Sequence, residues 1–445
     1  MSSAAAIPEV DRNREESRPT MPERATARQP VLRPWLRAQA LNLERHTEAL
    51  RDFRVNEFGA GAEAPTDGHV QAVNQLLGKL RRHLIGHART MNGLVNRALQ
   101  APHQPLLTRV VEHKHRSHAQ VQTIEKIWDF YFELFGQRQS PYGLWLLSCD
   151  RIALDCYQTA YLGIGQARSV PAPPPFSYMR TGFGPATFRR GIRLKSLARK
   201  MNPFPLVQLP YHRLVNPWTL GAILHEVSHN LQSDLGLSLA VPRAIARALL
   251  TAGLPRSVAK TWVRWNRETF ADLAGLLLGG PAVLASLMDV VGRAPAIVYG
   301  FDPNGVHPTP YLRVQLSAEL LRRMGFVEES TRFRNAWRRL YPQPPPGVFP
   351  SELLRTAEEA IARVVDAICY RPFAELGGKK LSQVFPFAPK DQILIEEAAG
   401  RLGRGTDPGI VPERYLIGAA RFALDHRLAK SETIKTNFYK ELARR

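Results

Sequence analysis

Residues 221–232 read GAILHEVSHNLQ, and the organisation of the chain follows from them. The preceding Asn216-Pro217-Trp218-Thr219 has the chemistry of a helix start, with Asn216 as N-cap and Pro217 at the first helical position. Ile223, Leu224, Val227 and Leu231 would anchor the helix in a core. His225 and His229 stand four residues apart, so both imidazoles project from one face to share a metal. Glu226 lies about 100° around the helix from His225, near enough to reach a metal-held water without being a ligand. Composition predicts roughly 0.02 chance occurrences of this pattern in such a chain. The competing explanation is a pair of buried, hydrogen-bonded core histidines, which the same flanking residues would also suit.

A hydrolytic zinc site needs three protein ligands and one open position. The stretch WNRETFADLAGLLLGG, residues 265–280, offers Glu268, with Asp272 one helical turn later. Glu268 follows His229 by 39 residues, and Asp234 is the only other carboxylate between them. Asp272 would accept a hydrogen bond from a ligand imidazole and fix its tautomer. A surface helix carrying acids in its first turn is the plainer alternative.

HEVSH and ETFAD together resemble the gluzincin metallopeptidases, whose pattern is HExxH on one helix and ExxxD on the next. The resemblance covers about residues 205–325. It implies that Glu268 is the third zinc ligand and Asp272 the orienting acid. The ExxAD form and the later His307-Pro308 are similar to the CAAX-prenyl-protease-like branch and its soluble relatives, in which a His-Pro segment often approaches the catalytic centre. In GVHPTPYLRVQL, residues 305–316, His307 is the preferred donor to the oxyanion of a tetrahedral intermediate and Tyr311 the second choice. Arg313 is a further candidate for that role, or a partner for a site carboxylate.

The expected fold is mainly α (α+β): a helical zincin-type catalytic domain with a small sheet or edge strand, plus N- and C-terminal helical regions. Residues 1–40 read as a flexible arm without apolar periodicity. Residues 41–170 read as an N-terminal helical domain, 171–340 as the catalytic domain and 341–445 as a C-terminal helical region. FPLVQLP, residues 204–210, reads as a strand at a sheet edge, able to pair with an extended substrate. Helices are expected over about 255–278 and 309–324, and LYPQPPPGVF, residues 340–349, as a linker. The apolar stretch 273–291 reads as core helix broken at Pro281 rather than a membrane span. The cluster Glu112, His113, Lys114, His115 and His118 reads as an exposed helix face, because neighbouring cations would repel a metal.

The formal net charge is +21. Residues 151–200 carry nine basic side chains against Asp155 alone, most of them in FRRGIRLKSLARK, residues 188–200. Such a segment could meet nucleic acid, but without interleaved aromatics a solvated basic face is favoured. Cys149, Cys156 and Cys369 suggest neither a disulfide framework nor a cysteine zinc site. With no secretory signal or spanning segment evident, the expected location is cytoplasmic.

The expected function is a zinc-dependent endopeptidase, hydrolysing peptide bonds through a zinc-activated water with Glu226 as general base. His225, His229 and Glu268 would bind the zinc, and the partner would be a protein or peptide substrate. The alternatives are a DNA-associated zinc peptidase and a non-enzymatic interaction protein with a structural zinc. Oligomeric state is not legible in the sequence.

Overall fold

The computed structural model describes residues 31–165, 169–182, 184–195 and 197–445. Helices make up 69% of the described residues and strands 4%, so the expected mainly α architecture with a small sheet is the one adopted. No helix among the described residues is long and apolar enough to cross a membrane.

The first described helix, α1 (Leu32–Ala49), starts within the stretch expected to be an arm and runs beyond it, and Leu36 and Ala40 of that stretch are buried. Residues 1–30 of the arm lie outside the described residues. The long helices α2 (Asp67–Gln100) and α3 (Gln104–Gly136) pack on α1 and on each other. On α2, Val70, Val73, Leu77, Leu80 and Leu84 form the buried stripe that a 3.6-residue period requires. His113 departs from the exposed face expected for the α3 histidines. It falls on the buried stripe with Val110 and Ser117, its Nε2 lies 2.8 Å from the His87 carbonyl oxygen, and its ring stacks on His87.

Next come α4 (Gly143–Ile164) and five short strands: β1 (Phe176–Met179), β2 (Ala186–Phe188), β3 (Arg193–Leu194), β4 (Lys200–Met201) and β5 (Leu206–Leu209). In the three-stranded sheet the order is β1-β5-β2, with β5 parallel to β1 and antiparallel to β2. The segment expected at the edge is therefore the central strand, paired on both sides, and β2 occupies an edge. Pairing partners distant in sequence decide strand order, and Pro210 lies just past β5, where it costs no ladder hydrogen bond. Alternation along β5 sends Leu206 into the α1–α3 core, while Val207 and Leu209 join the larger core that runs from α4 to the C-terminal helix. The sheet thus separates two apolar cores.

The rest is helical: α5 (Tyr211–Leu214), α6 (Gly221–Asp234), α7 (Leu237–Thr251), α8 (Arg256–Arg264), α9 (Asn266–Gly279), α10 (Pro281–Val291), α11 (Pro295–Val298), α12 (Pro310–Arg323) and α13 (Val327–Leu340), then α14 (Ser351–Arg355), α15 (Ala357–Val365), α16 (Leu381–Val384), α17 (Pro389–Arg404), α18 (Tyr415–Asp425) and α19 (Ser431–Arg444). Residues 341–349 join the same core through buried Tyr341 and Phe349. Where one helix was expected over 255–278 there are two, broken at Trp265; the Asn266 side chain bonds the Val263 carbonyl at 2.7 Å and turns the chain. Asn216 opens a single 3-10 turn (Pro217–Thr219) and not α6 itself, and its side-chain amide donates to the His212 carbonyl instead of capping. Gly280, at φ 67°, separates α9 from α10, with Pro281 in the first turn of the latter, as expected for a broken apolar stretch.

Candidate metal centre and cleft

Helices α6 and α9 cross at close range where α9 carries a glycine, and a second glycine lets α10 approach α6. A Cβ on Gly275 of α9 would lie 3.3 Å from the backbone nitrogen of His225. A Cβ on Gly221 of α6 would lie 2.6 Å from Oγ of Ser286 on α10. Ile223, Leu224, Val227 and Leu231 are fully buried and hold α6 in the core. His225, Glu226 and His229 thereby face the floor of a cleft of about 570 Å³, and Glu268 and Asp272 enter the same cleft from α9.

Three donor atoms converge there. Nε2 of His225 lies 3.1 Å from Nε2 of His229 and 3.4 Å from Oε2 of Glu268, and Nε2 of His229 lies 3.3 Å from Oε1 of Glu268. A tetrahedral zinc bound to N and O ligands at about 2.0–2.1 Å sets its donor atoms roughly 3.3–3.4 Å apart. The three residues fit that spacing as they stand, and the His/His/carboxylate set is one that zinc accepts in sites with an open position.

The remaining charges support this centre. Nδ1 of His225 lies 2.9 Å from Oδ1 of Asp272. Arg313 on α12 grips Asp272 with two hydrogen bonds, Nε to Oδ2 at 2.8 Å and Nη2 to Oδ1 at 2.7 Å, and its Nη2 stands 3.7 Å from Oε2 of Glu268. Burial pushes the Glu268 carboxyl up, but its contacts with His225 and His229 outweigh this and hold it well below the usual range. For Asp272 burial likewise works upward and Arg313 wins, leaving it lowered. Burial works downward on His225, yet the contacts with Asp272 and Glu268 raise its pKa to about 10. Burial raises Glu226, whose carboxylate lines the cleft and has no side-chain hydrogen bond among the described residues.

No protein family, curated protein or solved structure matches this chain. His225, His229, Glu268 and Asp272, chosen from sequence, are brought together. His307 reaches the same group, with Nε2 3.4 Å from Oε1 of Glu268 and a side chain 67% exposed at the cleft. Tyr311 does not share this position. It is buried, its ring packs against Tyr299 at 5.6 Å between centroids, and it is not among the residues lining the cleft. The second-choice oxyanion donor is thus turned into an aromatic core, because Tyr311 falls on the buried stripe of α12 with Leu312 and Val314. Arg313 takes the carboxylate-pairing role of its two candidate roles.

Sequence reasoning missed Asn230 and Gly275. Asn230 follows His229, and its Nδ2 donates to Oγ1 of Thr187 at 2.8 Å, while that hydroxyl donates to the Leu206 carbonyl at 2.9 Å. This chain of bonds ties edge strand β2 to α6. A polar residue on an otherwise buried helix face was the available signal for Asn230, and a glycine inside a helix was the signal for Gly275. Arg190 of the basic segment donates to the carbonyls of Pro171, Ala172 and Pro173, so that guanidinium serves the fold.

Proposed function

We propose that the chain is a zinc-dependent peptidase of the gluzincin type. The supporting observation is the convergence of His225, His229 and Glu268 at metal-ligand spacing on the floor of an open cleft, beside a buried Glu226 whose carboxylate makes no side-chain hydrogen bond among the described residues. When bound, zinc there would polarise a scissile carbonyl and acidify a water.

The chain's own groups supply the rest. Asp272 sets the His225 ring and its tautomer through Nδ1, and Arg313 holds Asp272 ionised for that task. The Glu226 carboxylate takes a proton from the attacking water and delivers it to the leaving nitrogen; burial raises its proton affinity, which suits a general base. His307, exposed at the cleft, donates to the developing oxyanion. Ala186 and Thr187 of β2 line the cleft, so a substrate strand aligns along β2 rather than along the central β5.

Elemental analysis of wild type, Glu268→Ala and Glu226→Gln, paired with a peptide-cleavage assay, tests this reading. About one zinc per chain, lost in Glu268→Ala and kept in Glu226→Gln with cleavage abolished, is the expected result. A wild type that takes up no zinc on reconstitution, or a Glu226→Gln variant with full activity, overturns it.

A further inference from the structure

The cleft that holds the candidate zinc ligands also carries four arginines: Arg189, Arg264, Arg267 and Arg313. Two are accounted for. Arg313 is neutralised by Asp272, and Nε of Arg264 donates to the Gly305 carbonyl at 3.0 Å. Arg189 and Arg267 are different: among the described residues, neither guanidinium makes a hydrogen bond or an ion pair. The carboxylate that acts on Arg189 is Asp234, which accepts the Tyr157 hydroxyl at 2.8 Å and is itself pushed toward its neutral form by burial. It is a poor counter-ion. Arg189 and Arg267 lie close enough for the second to lower the proton affinity of the first, beyond the effect of burial. Two like charges near each other at a cleft wall favour an incoming anion.

Their placement specifies that anion. Arg189 directly follows β2, the edge strand whose Ala186 and Thr187 line the cleft, and Arg267 directly precedes Glu268 at the start of α9. One guanidinium thus stands on the strand wall and the other on the ligand helix, so a group bridging them lies next to the metal centre. A divalent ion at His225, His229 and Glu268 would make the cleft more cationic still. Resting on the peptidase reading above, we propose that Arg189 and Arg267 form a carboxylate-binding subsite, and that the enzyme selects peptides presenting a carboxylate beside the scissile bond. That carboxylate belongs either to an acidic side chain or to the end of the substrate chain.

The test uses the full chain, reconstituted with zinc, in two measurements. The Glu226→Gln variant is titrated by fluorescence anisotropy with labelled decapeptides, C-terminally amidated or free, carrying Glu at each position in turn, and with their Gln counterparts. The wild type is assayed for cleavage of the same peptides. We expect Glu peptides to bind about tenfold tighter than Gln peptides at one or two positions, as charge-assisted bidentate bonds warrant. That preference should fall below about twofold when Arg189→Gln and Arg267→Gln are added, with zinc content unchanged, and should weaken with rising salt. A preference confined to free C-termini supports the subsite and identifies the chain end as its ligand. Equal affinity across all the peptides, Glu or Gln and free or amidated, or a preference that survives both substitutions, overturns the proposal. Cleavage without regard to acidic residues or free termini would overturn the subsite and leave the peptidase standing, whereas selective binding of Glu peptides with no cleavage by the wild type would overturn the peptidase and leave the subsite.

Discussion

Nδ1 of His225 lies 2.9 Å from Oδ1 of Asp272, behind the face on which Nε2 of the same ring meets Glu268. A carboxylate this close to Nδ1 favours the tautomer that carries its proton there and leaves Nε2 free to meet a metal. Asp272→Asn should therefore lower zinc affinity by about 10–100-fold with little change in fold. Competition titration against a chromophoric chelator measures it, and an unchanged zinc affinity would remove Asp272 from the site.

Arg313 is the other half of that arrangement. Its side chain is 11% exposed and that of Asp272 1% exposed, so removing the guanidinium leaves a buried carboxylate without its cation. Arg313→Met should destabilise the protein by about 3–5 kcal/mol, the cost of breaking a buried pair from one side. Arg313→Lys should recover only part, because an ammonium cannot reproduce the two-pronged contact. Urea unfolding of the three proteins decides the order.

The α6–α9 crossing predicts a size series at Gly275. Alanine there must push against the His225 backbone nitrogen at 3.3 Å and the Leu224 carbonyl carbon at 3.4 Å. A cost of about 1–3 kcal/mol is expected. Valine should separate the helices further and weaken zinc binding together with stability. Thermal melts with and without zinc would show the stabilisation by the metal shrinking from glycine to alanine to valine.

Glu319 on α12 gives the clearest pH dependence away from the centre. Burial acts to raise its pKa, but hydrogen bonds from Arg322 and Arg323 prevail and bring it from the ordinary 4.5 down to about 2; Arg334 of α13 also donates to it, at 2.9 Å. A lowered folded-state pKa means that its stabilisation is fully present above pH 4.5 and is lost as the pH falls toward 2. Allowing for solvent around its partly exposed partners, Glu319→Gln should cost roughly 1–2 kcal/mol at pH 7. The difference from wild type should close between pH 4.5 and 2, and chemical denaturation at a series of pH values would reveal it.

Much of the candidate site was legible because its information is local. The spacing of His225 and His229 places both rings on one helix face whatever surrounds it, and the same holds for Glu268 and Asp272. The apolar stripes that make the chain mainly helical are equally local. Features set by distant partners were not legible: β5 reads as an edge strand on its own prolines, yet β1 and β2 close on both of its sides. His113 sits among charged neighbours in sequence, yet its ring is covered by α2. Tyr311 lies near His307 in the chain, but the helical turn directs it into the core.

By itself, then, the sequence determined which residue types share each helix face, and so the identity of the candidate metal ligands and of the acid behind them. Only the tertiary structure decided that those faces meet, through the glycine-lined crossing of α6 and α9, that Arg313 and not Tyr311 enters the site, and that Arg189 and Arg267 line one cleft without a hydrogen-bond or ion-pair partner among the described residues. The physical reason is range: helical periodicity acts over a few residues, whereas packing and charge pairing join groups far apart in the chain.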